Sequence, residues 1–207
     1  MISTRHPLPI ALAFLVAACG DNSAGRDVAT VTAPDTFRVR FATSRGPFVV
    51  EAVRAWAPNG ADRFYALARS GFFDENRFFR VVPGFVAQFG LNPEPKRNTA
   101  WDERKLADDA VRQSNVRGTI VFTSQGPNTR SHQMFVNLAD NSRLDKDGFA
   151  PFGRVVEGMA VVDSLYDEYG EDPQQHLIQT LGNNYLARMF PKLDWIDSAR
   201  VAAPGKP

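Results

Sequence analysis

The chain has 207 residues, 43% hydrophobic and 23% charged, with a net charge of +1. That length suits one well-buried domain, and the composition is ordinary for a globular protein. Lysine and arginine are scattered rather than gathered in a basic stripe, which argues against a nucleic-acid partner.

The first twenty residues, MISTRHPLPIALAFLVAACG, stand apart. Arg5 and His6 form a short basic start, residues 8–18 are apolar, and small residues follow, which is the pattern of an export signal. The apolar run is short for a spanning helix, which needs about 20 such residues. Val16-Ala17-Ala18-Cys19-Gly20 resembles the bacterial lipoprotein box, in which the cysteine is lipidated and becomes N-terminal after cleavage. Cys19 is also the only cysteine, so no intrachain disulfide can form. We therefore read 1–18 as a signal peptide and Cys19 as a lipidation site. Residues 19–34 read as a polar tether, its flexible part reaching roughly 20 Å. A domain over 35–203 and a tail over 204–207 complete the chain. The expected location is the periplasmic or cell-surface side of a bacterial membrane.

The domain opens with TFRVRFAT (36–43), in which Phe37, Val39 and Phe41 alternate with Arg38 and Arg40 as in a half-buried strand. Residues 44–47 read as a turn and FVVEAV (48–53) as the return strand. Asn59 is the expected N-cap of a helix carrying Ala61, Phe64, Tyr65 and Ala68 at helical spacing and ending near Gly71. Four short β-rich runs follow: RFFRVV, FVAQFG, GTIVFTS and MFVNL. MAVVDSLYDEYG (159–170) reads as a second helix, and WIDSARVA (195–202) as a closing strand. Many short strands with two separated helices predict an all-β fold, a closed antiparallel barrel capped by two helices. A sandwich is the alternative.

The chain lacks H-E-x-x-H and C-x-x-C spacings, a G-x-S-x-G elbow and a phosphate-cradling glycine loop. An enzyme built on it is expected to work without nucleophile, metal or cofactor. Ser131 and His132 are neighbours whose side chains diverge on a strand, and a surface position is expected for His132. One feature is unusual: Arg80 sits in FFRVVPGFVAQFG (78–90), where a buried guanidinium is costly without compensation.

That segment resembles the signature of the cyclophilin-type peptidyl-prolyl cis–trans isomerases, Phe-His-Arg-Val-Ile-Pro-Gly-Phe with Gln a few residues on. SQGPNTRSHQMFVNL (124–138) and RLDKDGFAPFGRVVEGMAVVDSL (143–165) resemble two further blocks of that family, in the same order. The likeness spans about residues 36–203. It implies an eight-stranded antiparallel barrel with two capping helices, and isomerase activity on X–Pro bonds in exported proteins. The alternative is a binding or chaperone module with little turnover. The resemblance assigns Arg80 and Gln88 to catalysis. It places Phe85, Val86, Ser124, Gln133, Phe135, Leu144 and Phe149 against the substrate. The implied partners are proline-containing segments of extracytoplasmic proteins and, through Cys19, a membrane; a monomer is expected. The chain departs from the family pattern at Phe79 (usually His), Phe89 (usually Gly), Met134 (usually Phe), Arg143 (often Trp) and Phe149 (a pocket His).

Overall fold

In the computed structural model, Met1 and residues 31–203 are described, so the signal, Cys19, most of the tether and the tail lie outside the described residues. Eight antiparallel strands form one curled sheet: β1 (Thr36–Thr43), β2 (Gly46–Val53), β3 (Arg80–Val82), β4 (Val86–Phe89), β5 (Thr119–Phe122), β6 (Met134–Asn137), β7 (Gly153–Glu157) and β8 (Ile196–Val201). Their order is β3-β4-β6-β5-β7-β2-β1-β8. The alternation in β1 does what it predicts: Phe37, Val39 and Phe41 are buried, and Arg38 and Arg40 are exposed. The core is dense in phenylalanine, with Phe41 stacked on Phe48 at 4.6 Å and Phe64 and Phe122 both tilted against Phe152. Such ring pairs add roughly 0.5–1.5 kcal/mol each beyond area burial.

The expected closed barrel is corrected to an open sheet whose edges are β3 and β8. Between these edges runs irregular chain. Phe78 N–H donates to Asp194 O at 3.0 Å, Ile196 N–H to Asn76 O at 2.9 Å, and Arg77 bridges Trp195. The ladder fails to close because β3 has only three residues and the chain before it leaves strand geometry.

α1 (Pro58–Arg69) covers one mouth of the curled sheet and buries Ala61, Phe64, Leu67 and Ala68. Its expected cap is corrected as well. The N-cap residue is Ala57, and Asn59 lies inside the helix. Asp109, from a distant loop, accepts the N–H of Asn59 at 3.0 Å and of Gly60 at 2.9 Å. A carboxylate there satisfies two orphan donors and complements the helix dipole; Arg130 pairs with it at 3.1 Å.

The second expected helix is much shorter than MAVVDSLYDEYG. α3 spans only Met159–Asp163. Further helices escaped the sequence reading: α2 (Pro95–Asp102), α4 (Gln175–Leu181), α5 (Asn183–Met189) and a six-residue 3-10 helix at Ser142–Asp147. Residues 166–193, with α4 and α5, fold into a lobe with a small core of its own. Ile178, Leu186 and Leu193 pack there with Phe79 and Leu91, flanked by Tyr169, Tyr185 and Phe190. Gly182, with φ +60°, turns α4 into α5 where any side chain would strike the Pro93 carbonyl.

Candidate active site

Arg80 opens β3 and pairs in register with Gln88 on β4. Gln88 in turn pairs with Phe135 on β6. This register sets three polar side chains in a row. Arg80 Nη1 donates to Gln88 Oε1 at 3.4 Å, and Gln88 Nε2 donates to Gln133 Oε1 at 3.0 Å. Gln88 and Gln133 are both buried. A buried amide is tolerable only when bonded, and here each amide is oriented by the next.

Beside this row lies an apolar cluster separate from the main core: Val86, Val121 and Phe135, flanked by Phe85, Leu144 and Phe149. Val86 and Gln88 are two apart on β4, so they share a face. The row and all of the cluster but Val121 line a cavity of about 290 Å³. All nine residues assigned to catalysis or substrate contact line this cavity: Arg80, Phe85, Val86, Gln88, Ser124, Gln133, Phe135, Leu144 and Phe149. Ser124 spends its hydroxyl on its own loop, donating to Gly126 O at 2.6 Å.

Three further lining residues escaped the sequence reading: Thr123, Gln125 and Gln175. So did Glu171. Its Oε1 accepts Arg80 Nε–H at 2.7 Å and also bonds Arg80 Nη2. Glu171 and Gln175 belong to the lobe, for which no motif in the sequence offered a signal.

The structure sorts the departures from the family pattern by face. Phe89 and Met134 are fully buried in the main core, with Phe89 edge-on to Phe41, Phe73 and Phe78. Phe79 is buried in the lobe core. None of these three lines the cavity; Phe149 does, and packs against Phe135 at 5.8 Å. Arg143 holds its guanidinium 4.7 Å from the centre of the Phe85 ring, and Arg80 lies 5.4 Å from the same ring.

His132 is not at the surface, contrary to expectation; it is completely buried. Its Nδ1 lies 2.6 Å from Gly90 O, and its Nε2 lies 3.3 Å from Asp102 Oδ1. Strand alternation explains the error only in part: β6 starts at Met134, so 131–132 precede it, and Ser131 and His132 both turn toward Asp102. The approach of His132 is the main reason that the Asp102 carboxyl is held well below the usual carboxylate range, with Ser131 and Lys105 adding to it. Gly90, with φ +104°, leaves no room for a side chain against the His132 carbonyl. Among the described residues no three His, Cys, Asp or Glu side chains are grouped as metal ligands.

A curled eight-stranded antiparallel sheet, and an arginine and two glutamines beside a cavity with one apolar wall, define a class. The family model for cyclophilin type peptidyl-prolyl cis-trans isomerase/CLD matches residues 38–182, and the chain belongs to that family. Peptidyl-prolyl cis-trans isomerase cyp18 of Streptomyces antibioticus is 34% identical over 136 residues, covering 61% of this chain and 81% of the relative. Peptidyl-prolyl cis-trans isomerase B of Escherichia coli is 31% identical over 137 residues, covering 61% and 82%. The fold is shared with a cyclophilin type isomerase of Cryptosporidium parvum at a TM-score of 0.62 and 19% identity, covering 82% of this chain and 99% of that one. The enzyme class is therefore peptidyl-prolyl cis–trans isomerase.

Proposed function

We propose that Arg80 is the transition-state donor of this isomerase and that the cavity beside it takes the proline ring of the substrate. One observation carries the reading: a guanidinium, backed by Gln88 and Gln133, sits beside the apolar wall of a cavity of about 290 Å³, roomy enough for a proline ring and the peptide flanking it. An X–Pro bond resists rotation because nitrogen donates its lone pair to the carbonyl, with a barrier of about 18–20 kcal/mol. In the twisted state the nitrogen recovers that pair. A donor aimed at it binds the twisted state and not the planar one, which is the differential binding that catalysis requires. The planar amide is the more polar species, so the walls formed by Val86, Phe135, Leu144 and Phe149 favour twisting. Phe85 closes the pocket toward Arg80, and the backbone at Ser124 meets the peptide.

Bringing tens of seconds down to milliseconds takes about four decades, or ~5.5 kcal/mol. One charge-assisted hydrogen bond supplies ~1.5–3 kcal/mol. Desolvation and the fixing of one carbonyl orientation supply the remainder. The test is isomerase turnover on a short X–Pro peptide. Arg80→Ala lowers kcat/KM about 10²–10³-fold in a folded protein, on the scale of losing one preorganised donor. Arg80→Lys recovers little, because an ammonium lacks the planar fork. Activity of Arg80→Ala within twofold of the parent would falsify the assignment.

We further propose that the enzyme is exported and acts as a monomer on extracytoplasmic proteins, anchored through lipidated Cys19. The Val16–Gly20 box followed by a polar tether supports this reading. Stable anchoring needs two or more acyl chains, which lipoprotein processing provides. Cys19→Ser should leave the membrane fraction or stall uncleaved; unchanged maturation and sedimentation with membranes would refute the anchor.

A further inference from the structure

We propose that Glu171 is a positioning residue that holds the Arg80 guanidinium in its working orientation, an inference that rests on the role of Arg80 given above. The guanidinium carries five N–H donors on a rigid plane. Glu171 Oε1 takes the Nε–H and one N–H of Nη2. Gln88 takes one N–H of Nη1, at a long 3.4 Å. One N–H on each terminal nitrogen remains, and the Phe85 ring faces the plane from 5.4 Å. The orientation is thus set from three directions, and Glu171 supplies two of the three side-chain hydrogen bonds, the Nε one at 2.7 Å against 3.4 Å for Gln88.

The lobe that carries this carboxylate is docked next to Arg80. Phe79 immediately precedes β3, and Arg80 opens it. Phe79 enters the lobe core with Ile178 and Leu186. Arg80 lines the cavity, and Glu171 of the lobe meets its guanidinium there. The position that departs from the family's histidine is therefore the one that docks the element bearing Glu171. A second effect follows from charge. A proline that covers Arg80 strips water from the cation, and an adjacent carboxylate offsets that cost. Glu171 is largely exposed, so its effect is that of one partly screened ion pair.

The test compares Glu171→Gln, Glu171→Ala and Glu171→Asp in the full chain, reading kcat and KM separately on one X–Pro peptide. The Gln and Ala variants are expected to lose kcat about three- to tenfold with KM within twofold, and Asp to recover part of the loss. Raising salt from about 0.05 M to about 1 M should lower wild-type kcat toward the Gln variant and leave that variant unmoved, because screening acts on the pair alone. The Arg80 Nε–H resonance should exchange slowly with solvent in wild type and quickly in Glu171→Ala. This readout does not depend on turnover, so it separates failure of the pair from failure of the Arg80 assignment. Equal kcat in the Gln variant overturns the proposal. Higher kcat does so as well, since it would mean that the carboxylate competes with the peptide for the guanidinium.

Discussion

The two faces of residues 78–90 meet different constraints. Arg80, Val86 and Gln88 line a cavity, where each must present a particular atom to a peptide. Phe78 and Phe89 enter the main core and Phe79 the lobe core, where bulk and shape are the requirement. The departures from the family pattern follow this division. Three of the five, Phe79, Phe89 and Met134, are buried in the cores rather than in the cavity; only Met134 for Phe is a volume-compatible apolar swap, while Phe79 and Phe89 each add apolar bulk that the surrounding rings pack around. A change in a family signature is thus uninformative about chemistry until the side of the strand it occupies is known.

The sharpest way to break that division is Phe79→Ala. Removing a fully buried ring costs about 3–5 kcal/mol, and Phe79 joins the sheet to the lobe. The denaturation midpoint in urea should fall accordingly, with proteolytic nicking concentrated in 166–193. If Phe79 acts only through the lobe, kcat falls no further than in Glu171→Ala. A turnover loss near that of Arg80→Ala would show that the core side carries chemistry after all.

A smaller effect sharpens the cavity side. Arg143 stands over Phe85 at 4.7 Å and, among the described residues, is in no salt bridge within 4.0 Å. Exposed cation–π contacts are worth about 0.5–1 kcal/mol. Arg143→Ala should therefore raise KM roughly two- to fivefold with kcat nearly unchanged, as expected of a rim contact that steadies the Phe85 wall. A fall in kcat without a change in KM would move Arg143 into the machinery.

The parts legible in the sequence were those with strong local periodicity or a signature. β1 showed in the alternation of Phe37, Val39 and Phe41, β2 as the apolar return run after the turn at 44–47, and α1 in Ala61, Phe64 and Ala68. The cavity residues came from three motif blocks, not from periodicity. The lobe left no such trace, for a physical reason. α4 and α5 have seven residues each and fully bury only Ile178 and Leu186 respectively. Helices of two turns are marginal alone, and one buried residue makes no period. α2 hid similarly: its buried residues are Asn98 and Trp101, and Asn98 is held by reciprocal bonds with the Asn92 backbone at 2.7 and 2.9 Å. The helix start at Pro58 was misassigned because its cap, Asp109, lies fifty residues beyond Asn59.

His132 and Asp102 supply the least of these effects, and it bears on the frame behind the cavity. His132 ties Gly90, just past β4, to the entry of β6, and the next residue is Gln133, the partner of Gln88. Asp102 faces His132, Ser131 and Lys105, and its carboxyl is depressed chiefly by His132. A depressed carboxyl contributes stability that is fully present above its unfolded pKa of about 3.9 and is lost as pH falls through that value toward the folded one. Wild type should therefore lose stability more steeply than Asp102→Asn as pH drops below about 4. The side chain is one-third exposed, so the difference in slope should stay under ~1 kcal/mol per pH unit. Urea unfolding at several pH values measures it, and amide exchange locates it. Early opening at Gly90 and Gln133, before the lobe core around Ile178, is the expected order. Parallel pH profiles for the two proteins would show that the pair does not couple, and earlier opening of the lobe would place the acid-sensitive joint on the core side of β3 instead.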